Sequence, residues 1–149
     1  MTAEELMRRF SMEAHIENGS FIERHYASDG STRAASGSIY YYVAPDERTE
    51  FHKIDCDEYW CYAKGSPLDV WLVREDGGVS VHKLGVEDGC EPLLYVPKGV
   101  IFASKHAERF TEGTFLSCIT VPRFCYEGFT MLKKEEMLQK YPAVSGFYK

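Results

Sequence analysis

Short stretches of alternating apolar and polar residues recur along most of this sequence, with turn residues between them. Alternation with a period of two places successive side chains on opposite faces of an extended chain, as in half-buried β-strands. Proline, glycine and aspartate mark the turns, for example at residues 28–31 and 75–78. The pattern predicts strands at residues 20–26, 37–43, 49–54, 58–63, 68–74, 79–84, 91–96, 100–104 and 114–121.

The two ends of the chain depart from this alternation and predict short helices. Thr2 is a suitable N-cap for a helix that runs to about Phe10, because Glu5 stands where a capping box needs a carboxylate. Residues 132–140 predict a second helix, which the proline that follows would end. Short strands at a spacing of roughly 8–12 residues indicate a sandwich or barrel. We therefore expect an all-β fold in which residues 1–149 form one domain.

The composition supports β structure and argues against some partners. Aromatic residues make up 14% of the chain, and their rings pack well on a pleated, half-buried surface. The formal net charge is −6, without a basic patch or an apolar run long enough to cross a bilayer. We therefore expect neither nucleic acid nor a membrane as a partner. The 5 cysteines form no C-x-x-C pair, which favours reduced thiols in a cytoplasmic protein.

Residues 51–65 carry most of the candidate chemistry. His52, Glu58 and Gly65 have the spacing of the first cupin motif, and residues 97–99 match the P-x-G core of the second. Over residues 12–131 the chain resembles one branch of that superfamily, the uncharacterised cupin_5-like proteins. Further matching residues are His15, Glu17, Gly19, Phe21, Glu23, Ser38, Ile39, Tyr40, Trp60, Pro67, Leu68, Pro122, Phe124 and Phe129. The resemblance implies a double-stranded β-helix (a cupin jelly-roll barrel) and a homodimer, but no particular reaction.

Metal-binding cupins present two or three imidazoles and a carboxylate to the ion. By the resemblance, the four ligand positions are here His52, Ile54, Glu58 and Phe102, so two of them are apolar. Alternation along the strand turns Cys61 to the face opposite Glu58, where it cannot replace a missing ligand. We therefore expect no metal cofactor. A divalent metal held by His52 and Glu58 is the less favoured alternative.

The histidine and carboxylate that remain predict a small-molecule site inside the barrel. Cupin-type sugar epimerases keep a single motif histidine as base, and the resemblance makes His52 the candidate base for a metal-independent isomerase or epimerase. Glu58 would orient His52 or bind the substrate, and Tyr62, Tyr40 or Tyr42 would return the proton. In the opposing interpretation, His52 and Glu58 form only a satisfied polar pair and the tyrosines pack.

Two further functions stay open. One is a ligand-binding module without catalysis, in which aromatic rings and a few polar groups line a pocket. Its candidate ligand contacts are Tyr40, Tyr42, Phe51, Trp60, Phe102 and Glu23. The other is a metal-dependent oxygenase, decarboxylase or lyase, which needs at least one more ligand than the sequence provides on the correct face.

Overall fold

A computed structural model describes residues 1–28 and 30–149 of the chain. The elements in chain order are α1 (Ala3–Arg9), β1 (Glu13–Ala14), β2 (Ser20–Ala27), β3 (Ser36–Val43), β4 (His52–Lys53), β5 (Asp57–Gly65), β6 (Leu68–Val73), β7 (Val79–Leu84), β8 (Leu93–Val96), β9 (Ile101–Lys105), β10 (Thr114–Val121), β11 (Thr130–Met131) and α2 (Lys134–Lys140). Two 3₁₀ helices follow β10 and α2, at Tyr126–Gly128 and Pro142–Tyr148. The turn predicted at 28–31 includes Asp29, which lies outside the described residues.

The strands form two antiparallel sheets. One has six strands in the order β1-β2-β3-β10-β5-β8, and the other has five in the order β11-β4-β9-β6-β7. The all-β prediction is confirmed, as is the capping box at Thr2 and Glu5. Within the described residues, no helix has the length and apolar character that a membrane span requires.

Strand β4 is much shorter than the predicted 49–54. Its neighbours bond outside a regular ladder: the Thr49 amide donates to the Ser104 carbonyl at 2.9 Å, and the Glu50 amide donates to the Glu17 carbonyl at 2.8 Å. His52 pairs with Phe102 of β9 and with Met131 of β11. The short strand therefore joins the second sheet to the loop that precedes β2.

Alternation on the six-stranded sheet decides which side chains enter the barrel. Cross-strand partners form rows on its inner face, and two of these rows are Glu23–Ile39–Cys118–Trp60 and Gly37–Thr120–Glu58. Ile39, Cys118 and Trp60 pack in the main core between the sheets.

The three consecutive tyrosines of β3 separate by the same rule. Tyr41 lies in the main core, whereas Tyr42 is buried on the outer face with Ala3 and Phe115, and Tyr40 packs against that outer cluster. The structure therefore contradicts the expectation that Tyr40 and Tyr42 face the interior. The sequence pattern marks alternation in such a run but not which residue of the run points inward.

The C-terminal segment covers the outer face of the five-stranded sheet. Phe51 packs there against Phe147, with ring centroids 4.6 Å apart, in a cluster that includes Met137 of α2. The structure thus contradicts the interior position expected for Phe51, because adjacent strand residues point to opposite faces and His52 takes the inner one.

Candidate functional site

A cavity of about 510 Å³ opens between the two sheets, at the end where β5 begins and β10 ends. Its volume lies in the range usual for small-molecule sites, which is roughly 300–1,000 Å³. Apolar walls come from Phe21, Ile39, Ile54 and Phe124. The titratable lining consists of His15, Glu17, Glu23, Arg33, His52, Glu58, Cys118, Arg123, Cys125 and Tyr126.

His52 and Glu17 form a buried ion pair on one wall. The Nε2 atom of His52 lies 2.6 Å from a carboxylate oxygen of Glu17, and their side chains are only 3% and 8% exposed. The Nδ1 atom lies 2.7 Å from the carbonyl oxygen of Glu50. Both ring nitrogens of His52 therefore have partners, and the ring packs 4.2 Å from that of Phe102, centroid to centroid.

The protonation of this pair reflects two opposing effects. Burial disfavours the charge on each group, but the attraction and hydrogen bond between them outweigh it. As a result the pKa of Glu17 is lowered and the pKa of His52 is raised. Both shifts favour the form of the pair in which an imidazolium lies beside a carboxylate.

Glu58 is a buried carboxyl on the adjacent wall, in β5 opposite Thr120. Burial first, and then the negative charge of Glu17, raise the pKa of Glu58 to about 7, while His52 opposes the rise. The thiol of Cys118 lies beside the carboxyl, and burial and the charge of Glu58 raise its pKa well above the ordinary value. Glu58 therefore exchanges its proton near neutral pH, whereas Cys118 stays a thiol.

His15 is a second imidazole of the cavity wall. Burial lowers its pKa, and the charge of Glu17 only partly offsets this. Its Nδ1 accepts a hydrogen bond of 3.2 Å from the Glu17 amide, so the neutral ring carries its hydrogen on Nε2. Aromatic rings surround it; they belong to Phe21, Tyr41, Phe124, Tyr126 and Phe129.

Two arginines, Arg33 and Arg123, line the cavity. Arg123 donates to both carboxylate oxygens of Glu23, at 2.5 and 3.0 Å. Arg33 donates to both oxygens of Asp55, at 2.8 and 3.0 Å, and its Nε donates to the Arg123 carbonyl at 2.7 Å. The Arg33 guanidinium thus fixes the backbone of Arg123.

The structure brings together only some of the residues expected at the site. Glu23, His52 and Glu58 line the cavity. Trp60 and Phe102 are fully buried in the core behind it, not on its surface. The hydroxyl of Tyr62 donates to the Gly65 carbonyl at 2.6 Å, at the opposite end of β5. A bulge in the β5–β10 ladder beside Tyr62 accompanies this placement.

Sequence reasoning missed the site roles of Glu17, His15, Cys118 and Arg123. Glu17 and His15 belong to the N-terminal motif of the family resemblance, but no local sequence pattern indicates that this motif packs against β4. Cys118 shares the inner face of β10 with Thr120, but alternation alone does not tell which face of a strand points inward.

The donor set does not fit a bound metal. Apolar Ile54 and Phe102 hold two of the positions where the resemblance would place ligands, and Nε2 of His52 is bonded to Glu17. In residues 1–28 and 30–149, no group of three or more His, Cys, Asp or Glu side chains is placed to hold a metal ion.

The fold and cavity define a jelly-roll barrel of two antiparallel sheets with a small-molecule-sized cavity at one end. The model of the Cupin_5 family, described as Cupin superfamily (DUF985), matches residues 4–132. The chain therefore belongs to this cupin family.

Relatives agree with this assignment. The uncharacterized protein YML079W of Saccharomyces cerevisiae is 35% identical in an alignment of 113 residues that covers 72% of this chain and 56% of that protein. The chain thus spans little more than half the length of this curated relative. The solved structure of protein SO0799 from Shewanella oneidensis is 25% identical, covers 98% of this chain and 94% of its own, and superposes with a TM-score of 0.90. Oxalate decarboxylase OxdC of Bacillus subtilis, at 16% identity, a TM-score of 0.63 and coverage of 92% and 34%, shares the fold alone.

Proposed function

We propose that the protein is a metal-independent isomerase or epimerase that moves a proton on a small, polar, sugar-like substrate bound in the barrel cavity. The observation that carries this proposal is the position of Glu58, with its pKa raised to about 7, beside the buried ion pair of Glu17 and His52. Neighbouring titratable groups held in different protonation states at one pH are typical of acid–base sites.

Glu58 is the proposed base. Its ionised form takes a proton from a carbon next to a carbonyl, and the electron pair of that C–H bond moves into an enolate. In an isomerisation the carboxyl then returns the proton to the neighbouring carbon, while the hydroxyl proton of that carbon passes to the enolate oxygen, so no oxidant or reductant is consumed. In an epimerisation a second acid instead returns a proton to the opposite face of the same carbon, and Glu58 releases its proton to water. The Nε2 hydrogen of neutral His15 supports the enolate oxygen, as a neutral imidazole does in other isomerases.

This assignment moves the base from His52, the residue that the sequence favoured. Both nitrogens of His52 already have hydrogen-bond partners, and its pKa is raised because the Glu17 carboxylate outweighs burial. His52 and Glu17 instead set the electrostatic field that acts on Glu58.

A second candidate function is ligand binding without turnover. The internal hydrogen bonds of His52 and Tyr62 favour it, because they leave neither side chain free to transfer a proton. In this case the cavity and its polar groups serve recognition alone.

Hydrogen exchange in D₂O separates the two candidates. The protein is incubated with pooled keto-sugars and sugar nucleotides, and deuterium at carbon is measured by NMR and mass spectrometry. We expect exchange by the wild type, loss of at least about 100-fold in Glu58→Gln, and retention in the control His82→Ala, which alters an exposed histidine bonded to Ser80. Exchange that survives in Glu58→Gln and fails in His52→Ala returns the base to His52. If no pool member exchanges while one raises the melting temperature, the binding function stands instead.

The proposal includes a cytoplasmic homodimer. Support comes from apolar side chains exposed on the outer face of the six-stranded sheet, where Tyr59 lies opposite both Ile119 and Tyr95. Exposed apolar patches of this kind mark interaction surfaces. Light scattering should give the dimer mass for the wild type and the monomer mass for Tyr59→Glu; a monomeric wild type would contradict the dimer.

A further inference from the structure

Contacts with neighbouring residues fix the position of Arg123 at the cavity. Its amide donates to the Ala34 carbonyl at 3.0 Å, its carbonyl accepts from Arg33, and its guanidinium carbon lies 4.1 Å from the centre of the Tyr26 ring. A Cβ on Gly37 would come within 2.8 Å of Arg123 Cγ, so the glycine leaves the space that this side chain occupies. These contacts hold the arginine against β3, with 35% of its side chain exposed.

The guanidinium of Arg123 keeps unused donors. Arginine has five N–H groups. Two of them donate to Glu23, one from Nε and one from Nη2, and the other three have no acceptor in the part of the chain that the structure describes. A guanidinium held by one carboxylate can accept a second planar carboxylate on its free edge with bidentate geometry.

Glu23, the ion-pair partner of Arg123, can move away from it at a small cost in stability. The side chains of Arg123 and Glu23 are 35% and 42% exposed, in contrast to 3% and 8% for His52 and Glu17. Exposed ion pairs contribute little to stability, so Glu23 can shift or share Arg123 at small cost. The buried pair of the cavity wall has no such freedom, because separating it would leave a charge without a partner.

We propose that Arg123 binds the carboxylate of a small organic acid, such as a keto acid or a uronic acid, with Glu23 holding the guanidinium in place. This subsite rests on the proposed function in one respect: it defines the end of the substrate opposite the carbon that Glu58 would deprotonate. Both groups line the same cavity of about 510 Å³, which has room for a sugar-sized acid. A carboxylate bound here directs the rest of the molecule inward, towards His15, Glu17 and Glu58.

Binding is tested by NMR titration at pH 6.5 and low salt with pyruvate, D-glucuronate and D-glucuronamide, the last being the neutral counterpart of the second. We expect both acids to bind at least about tenfold more tightly than the amide. Arg123→Met should remove this preference, and Arg123→Lys should retain only part of it, because an ammonium cannot form the bidentate contact. The control Arg8→Met removes an exposed, ion-paired arginine of α1 and should change nothing.

Glu23→Gln should change the affinity for the acids in the direction opposite to that of Arg123→Met. The amide keeps an acceptor for Arg123 but removes the negative charge that repels a second carboxylate, so affinity for the acids should rise several-fold. Misfolding cannot mimic such a gain. Equal binding of D-glucuronate and D-glucuronamide, no gain in Glu23→Gln, or no binding of either acid to any variant at 50 mM would each overturn the subsite.

The D₂O experiment keeps the two proposals separable. If the acids bind through Arg123 and no carbon-bound hydrogen exchanges, the proton-transfer function fails and the carboxylate subsite stands. If sugar acids exchange and Arg123→Met exchanges and binds them as the wild type does, the subsite fails and the proton-transfer function stands.

Discussion

His52 and His106 are both buried histidines, but they lie towards opposite ends of the barrel and their pKa values shift in opposite directions. His52 faces the Glu17 carboxylate, which outweighs burial and raises the pKa of the imidazole. His106 lies 2.9 Å from the Thr114 hydroxyl, and burial lowers its pKa because Asp69 offsets only part of the cost. Both rings are buried, yet their pKa values shift in opposite directions, because only His52 has a carboxylate as its hydrogen-bond partner.

The surroundings repeat this contrast. Near His106 the polar groups are mostly hydroxyls that satisfy one another: Thr114 donates to the Ser66 carbonyl at 2.7 Å, and Thr49 and Ser104 share a bond of 3.1 Å. Near His52 the groups are ionisable and border the large cavity. The end of the barrel near His106 therefore has the properties of a closed, structural region. The end near His52 has the properties of a small-molecule site.

Breaking the ion pair should have the largest effect. Glu17→Ala leaves the His52 charge buried without its partner, and we expect a loss of about 3–5 kcal/mol in the free energy of unfolding at pH 6.5. Urea denaturation of Glu17→Ala, His52→Ala and the double variant gives the coupling between the two side chains. A coupling below about 1 kcal/mol would mean that the pair does not distinguish this end of the barrel.

The pH dependence of Glu58→Gln should come next in size. Because the folded-state pKa of about 7 lies above the ordinary glutamate value of 4.5, the native state binds the extra proton and wild-type stability falls as pH rises through this window. Glu58→Gln lacks that proton, so it should gain about 2 kcal/mol relative to wild type between pH 5 and pH 8. Urea unfolding at both pH values measures this gain; a constant difference would contradict the raised pKa.

The two histidines should respond to pH in opposite directions. The raised pKa of His52 supports stability that is present below pH 6.5 and lost as pH rises through the folded-state value. The lowered pKa of His106 instead causes stability to be lost as pH falls below 6.5. The stability of His106→Gln relative to wild type should therefore be greater at pH 5 than at pH 8, and His52→Gln should show the reverse. Two profiles of the same sign would remove the distinction between the ends.

The exposed pair of Arg123 and Glu23 should give the smallest effect. Each single variant, Arg123→Met or Glu23→Gln, should shift the melting temperature by less than about 2 °C, because solvent screens the pair. Differential scanning fluorimetry measures this. A shift comparable to that of Glu17→Ala would show that the mouth of the cavity is as rigid as its wall.

Much of the fold followed from local patterns. Alternation and turn residues located the long strands, and the Thr2–Glu5 spacing located α1. The short strands β1 and β11 and the 3₁₀ helix Pro142–Tyr148 were missed, because they are held by tertiary contacts and have no periodic pattern of their own.

The site was only half accessible from the sequence. His52 and Glu58 carry the spacing of a family motif and both line the cavity. Glu17 pairs with His52 only because the loop before β2 folds against the segment around β4. The Glu17 carbonyl accepts a hydrogen bond there from the Glu50 amide. Contacts across such separations leave no signal in a single sequence, and the same limit made Tyr40 and Tyr42 indistinguishable from Tyr41.

The shortness of β4 has a consequence for how the family can diversify. His52 is held on its inner side by Glu17, while the residue before it, Phe51, is anchored from behind by Phe147. One peptide unit thus connects the C-terminal tail to the imidazole. Substitutions at Phe147 that alter the packing against Phe51 would therefore move the His52 ring without changing any residue of the cavity wall.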